Sequence, residues 1–117
     1  MISKIEDVTT EFNANSGYIQ DLSGWDYAVV QIISPSGAVS FKTTNDSGYT
    51  TGVIPPSPVV PANWLAVQGV DLATGTAATS TSTSTNYKFN VIGKYLQLTG
   101  SSVTATKVII SLNKINP

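Results

Sequence analysis

Short blocks of period-two hydrophobic alternation, each closed by Gly, Asn, Asp or Pro, constrain this chain more than any other feature. In Tyr27–Ser34, Tyr27, Val29 and Ile33 fall on one face and Ala28, Val30 and Ile32 on the other, so both faces are apolar. That pattern predicts a central strand. Pro35-Ser36-Gly37 supplies turn chemistry, and beyond it Val39, Phe41 and Thr43 alternate with Ser40, Lys42 and Thr44 as a half-buried strand. The two are expected to pair as a hairpin. Asn45-Asp46-Ser47-Gly48 is a second turn, after which Tyr49 begins a further short extended stretch.

The same rhythm recurs downstream. Trp64–Asp71 is extended, Tyr87, Phe89 and Val91 alternate with Lys88 and Asn90, and Gly93 precedes a block from Tyr95 to Thr99. Gly100-Ser101-Ser102 separates that block from Lys107–Ile115, where Val108, Ile110 and Leu112 share a face. Ile2–Val8 and Tyr18–Leu22 are weaker candidates, and no stripe of helical period competes with any of these blocks. The expectation is an all-β fold, an antiparallel β-sandwich of jelly-roll or immunoglobulin-like type with about eight strands. A length of 117 residues suits a single domain spanning 1–117.

Two stretches break the rhythm. Thr51–Ala62 carries Pro55, Pro56, Pro58 and Pro61, each lacking a ladder donor, which predicts a long, stiff loop at 51–62. At 79–85, Thr and Ser alternate strictly and present hydroxyls on both faces; the run reads as a polar loop or an exposed edge strand unable to line a core. Ser and Thr supply 29 of the 117 residues, yet 41% hydrophobic content and a net charge of −1 do not fit the signature of disorder.

The residue inventory narrows function by what it lacks. With no Cys and no His, disulfides, thiolate metal sites, thiol nucleophiles and every Ser–His triad are removed. The carboxylates Glu6, Asp7, Glu11, Asp21, Asp26, Asp46 and Asp71 mostly sit in turn-like settings that favour capping of backbone amides. Asp21 and Asp26 lack the alternating ligands of a calcium loop, and no phosphate-binding or dinucleotide fingerprint is present. The expectation is a protein that is not an enzyme and uses no cofactor or metal. All six basic residues are Lys and none cluster, which argues against nucleic acid. Without an apolar run of spanning or signal-peptide length, synthesis in a cytoplasm without membrane contact is expected.

Two features exceed the needs of a plain sandwich. Val53, Ile54, Pro55, Pro56, Val59, Val60 and Pro61 hold β-branched apolar groups on a donor-poor, extended backbone. This segment packs on its own sandwich or reaches a neighbouring subunit, and it is the candidate protein interface. The aromatic set Tyr18, Trp25, Tyr27, Tyr49, Trp64, Tyr87 and Tyr95 fills or rims a core, with Trp25 and Trp64 the alternative contacts for carbohydrate.

Gly24-Trp25-Asp26-Tyr27, Ser36-Gly37-Ala38-Val39-Ser40-Phe41, Asn45-Asp46-Ser47-Gly48 and Gly93-Lys94-Tyr95-Leu96-Gln97-Leu98, in that order, resemble a pattern of small virion proteins of tailed phages. The chain is similar, over roughly Asp21 to Leu112, to auxiliary capsid (decoration) proteins and head-fibre subunits of crAss-like podoviruses. The resemblance implies a structural role at the capsid surface, in many copies, bound to the major capsid protein and neighbouring virion proteins. It leaves open homo-oligomerisation, and an adhesin module binding host-surface carbohydrate remains the alternative.

Overall fold

The computed structural model describes residues 2–45, 64–90 and 93–115. Chain order runs β1 (Ile2–Asp7), α1 (Thr9–Asn15), β2 (Gly17–Asp21), β3 (Tyr27–Ile33), β4 (Val39–Thr44), β5 (Leu65–Ala66), β6 (Gly69–Asp71), β7 (Ala77–Ala78), β8 (Ser80–Thr81), β9 (Thr85–Asn90), β10 (Tyr95–Thr99) and β11 (Lys107–Lys114). The strands form two antiparallel sheets packed as a sandwich. The larger has the order β1-β11-β3-β9-β6-β7, and the smaller β2-β10-β4-β5, with β8 also pairing β4. Most connections cross from one sheet to the other. The strand total exceeds the eight expected because β5, β7 and β8 are two-residue pairings too short to leave a pattern in sequence.

Alternation decides which side chains enter the core. Ala28, Val30 and Ile32 from β3 meet Phe89 from β9 and Val108, Ile110 and Leu112 from β11, and the opposing sheet adds Val39, Phe41, Leu96 and Leu98. Phe41 is the hinge of this packing: its ring lies 4.9 Å from Phe89 in an edge-to-face contact and 5.1 Å from Tyr87 across the sandwich. Gly69 on β6 lets the sheet pass over Phe89, because a Cβ there would sit 2.5 Å from the buried ring.

Two expectations are corrected, and one short element is added to those expected. β3 and β4 do not form a hairpin: β3 is already flanked by β11 and β9, and β4 belongs to the other sheet. The turn is steered away by Ser34 at φ 50°, and by Ser36, whose amide donates to the Thr104 carbonyl and whose hydroxyl accepts from the Thr104 amide. Trp64–Asp71 is not one strand either. It divides at Val67, whose amide bonds the Phe41 carbonyl, so that β5 joins the small sheet and β6 the large one. Finally, a helix is present. α1 is only seven residues long and buries only Phe12, so it generates no readable stripe. Asn13 ties it to the body, donating to the Ala105 carbonyl and accepting from the Ala105 amide at 3.0 and 2.8 Å.

Candidate interaction surfaces

The polar residues singled out in sequence are held by the backbone. Asp21 accepts from the Ser23 amide at 2.8 Å, Asp71 from the Ala73 amide at 2.8 Å and Asp26 from the Ile115 amide at 2.6 Å. Each carboxylate completes a local turn or pins a chain end, the bonding for which short acidic side chains are suited. Glu6 pairs with Lys4 at 2.9 Å along β1. Asp7 accepts from both the amide and the hydroxyl of Thr9, and from Lys107 at 3.1 Å. Among the described residues no group of three acidic, His or Cys side chains is placed to share a metal ion. Asp46 lies outside the described residues.

The aromatic set separates by position. Tyr18, Tyr87 and Tyr95 are buried, and burial pushes the Tyr18 phenol up to about 12, with Glu6 and Glu11 adding to the rise. Trp25 packs, partly buried, against the main core. Trp64, also partly buried, packs on Ile19 and Tyr95 in a second cluster. Tyr27 lies on the outer face of the large sheet with the Lys88 ammonium 4.5 Å from its ring centre. Tyr49 and the interface candidates Val53, Ile54, Pro55, Pro56, Val59, Val60 and Pro61 lie outside the described residues.

The Ser/Thr run is more than a polar connection. Ser80 and Thr81 form β8, and Thr81 is buried with its hydroxyl donating to the Thr83 carbonyl and accepting from the Thr83 amide. A self-contained turn satisfies the hydroxyl, which is how one polar side chain of this run comes to be buried. Nearby, an open groove of about 410 Å³ is lined by Gly37, Ala38, Ser40, Lys42, Thr99, Gly100, Ser101 and Val103, a mixture of small apolar and hydroxyl groups with one cation.

The register places Ile5, Ser111, Val29, Lys88 and Val70 in one row across the outer face of the large sheet. Ile109 and Gln31 stand in the next row, and Ile33 beside Lys107 in a third. Ile5 is 73% exposed and Val70 40%, with Val29, Ile33 and Ile109 half-buried. The sequence makes β3 apolar on both faces; only the pairing shows that its second face looks outward.

No protein-family model and no curated protein matches the sequence. Among solved structures, the chain is similar to the SPBc2 prophage-derived protein YomS, with a TM-score of 0.60 and 14% sequence identity over 96% of this chain and 94% of that one. The likeness runs nearly end to end in both chains and is one of fold.

Proposed function

We propose that this chain is a structural protein of a tailed-phage virion, an auxiliary capsid or decoration protein that binds the major capsid protein on the head surface. The observation carrying this reading is the end-to-end fold likeness to a prophage-derived protein. The residue chemistry is consistent with it. A net charge of −1 gives little electrostatic steering, so attachment rests on apolar and backbone contacts. The half-apolar outer face of the large sheet offers such a surface, and Val53–Pro61 is the contact suggested by sequence. On a capsid the fixed spacing of neighbours turns modest single contacts into stable occupancy through avidity. The protein is made in the host cytoplasm, catalyses no reaction and needs no cofactor in this reading.

The test is mass spectrometry of purified particles followed by rebinding to capsids that lack the protein. Stoichiometric recovery with the virion, and weaker rebinding of a folded I54S/V59S/V60S variant, is the expected result. Absence from purified particles removes the virion role altogether. Full decoration by the triple variant moves the interface off that segment. Glycan-array binding that vanishes on Trp25→Ala or Trp64→Ala, together with no affinity for capsids, favours the head-fibre or adhesin alternative.

A further inference from the structure

A sheet end presents unpaired N–H and C=O groups, and the described ends of this sandwich deal with that in different ways. β7, β5 and β8 are two residues long. β2 is longer but buried along Gly17–Gln20, and α1 packs against it. β1 alone is both long and bare: across its six residues only Glu6 is even half-buried, and Ile5 is 73% exposed. We infer that β1 is a self-association edge, at which two copies pair antiparallel about a two-fold axis through Ile5 and join their large sheets into one.

The hydrogen-bond phase of β1 supports this register. The Val8 amide donates to the Val108 carbonyl at 2.9 Å, in line with the pairing of Glu6 with Ile110 and Lys4 with Leu112. Bonded and non-bonded pairs alternate along an antiparallel ladder, so the even-numbered residues of β1 bond to β11. Ser3, Ile5 and Asp7 therefore point their backbone N–H and C=O groups away from the sheet. An antiparallel twin centred on Ile5 places Ser3 opposite Asp7 of the second copy and Ile5 opposite its own twin, with each exchanging a pair of backbone bonds.

Charge selects the same centre. A two-fold axis perpendicular to the sheet sets a residue opposite its own twin at the centre, and keeps outer faces with outer faces. Centring on Lys4 stacks two ammonium groups, and centring on Glu6 stacks two carboxylates. Centring on Ile5 sets Lys4 opposite Glu6 of the second copy twice over, extending the Lys4–Glu6 pair that each strand already holds. The Ile5 twins meet on the outer face and continue the row through Ser111 and Val29. Lysine on an edge strand ordinarily deters pairing; here its complement is built into the same strand. Six residues a side are fewer than the roughly 20–30 of a standard interface, so the dimer is a weak one.

Sedimentation of the intact chain from about 10 μM to about 1 mM tests this, a range suited to an interface below standard size. The parent is expected to shift from monomer toward dimer with concentration. Lys4→Glu and Glu6→Lys alone each weaken the dimer about tenfold or more by opposing like charges, while the K4E/E6K double variant recovers it. The chain has no Cys, so single cysteines report register cleanly. Ile5→Cys is expected to cross-link on mild oxidation, since opposed bonded residues have Cα atoms about 5.5 Å apart, within disulfide reach. Lys4→Cys, two positions out of register with its twin, is expected to remain monomeric under the same treatment. Lys4 and Ile5 are exposed and Glu6 is half-buried, and unchanged far-UV circular dichroism confirms folding of each variant. A monomer at every concentration overturns the inference, as does a dimer indifferent to both single reversals or cross-linking of the Lys4 variant as fast as the Ile5 variant.

Discussion

The two sheets bury their inner faces alike and treat their outer faces in opposite ways. In the small sheet, β2 and β10 are buried on both sides. Ile19 and Tyr95 on the outer side form a cluster with Trp64, and Gln97 and Thr44 beside them are also buried. In the large sheet, Tyr27, Val29, Gln31 and Ile33 of β3 and Ile109 and Ser111 of β11 are half-buried on the outer side while Asn113 is buried, and Ile5 at the edge is mostly bare. Both sheets thus carry apolar groups on the side away from the core, but only the small sheet keeps its own inside the protein. Apolar area left in water costs about 25 cal/mol per Å², so the large sheet is where a partner gains most by docking.

This asymmetry is open to measurement by urea denaturation. The largest effect belongs to the core that both sheets share. Phe41→Ala is expected to cost about 3–5 kcal/mol, because the ring is fully buried and braces Tyr87 and Phe89 across the sandwich. That is a large fraction of a typical total of roughly 5–15 kcal/mol. The discriminating pair comes next. Ile19→Ala on the outer side of the small sheet is expected to cost about 2–5 kcal/mol, a core-like value, and Val29→Ala on the outer side of the large sheet less than about 1 kcal/mol. Equal costs would mean that the two outer faces are not different in kind.

The inward alternation of β3, β4, β9 and β11 was plain in sequence because period two is a local property. Pairing is not local. Nothing within Tyr27–Thr44 announces that both flanks of β3 are taken by strands that come some fifty or more residues later, so adjacency alone suggests a hairpin. α1 is not legible in sequence because a seven-residue segment with one buried side chain has no period to detect. β1 is a weak strand signal in sequence for a related reason: Ile2 and Ile5 have opposite parity, so its two apolar residues lie on opposite faces and break the alternation that marks a half-buried strand. A bare edge is defined by the absence of a neighbour, which no property of the six residues themselves reveals.

The smallest expected effect concerns the joint between β1 and α1, at the margin of the large sheet. Asp7 is held down to about 2 from an ordinary value of 3.8, first by the Thr9 hydroxyl, then by the Thr9 amide and Lys107. The folded state therefore prefers the carboxylate more strongly than the unfolded chain does. Between these two values the unfolded chain binds more protons, so stability falls as pH falls. The contribution is complete above about pH 4 and fades as the pH drops through about 2. Asp7→Asn removes the charge while keeping an oxygen for Thr9, so it is expected to lower the denaturation midpoint slightly at pH 6, with the gap from the parent closing toward pH 2. The Lys107 part of the gap should shrink in high salt because both side chains are half-exposed, whereas the short Thr9 bonds should be little affected. A carboxyl resonance for Asp7 that titrates near 3.8 would show that Thr9 does not hold it, and the turn into α1 would then need another anchor.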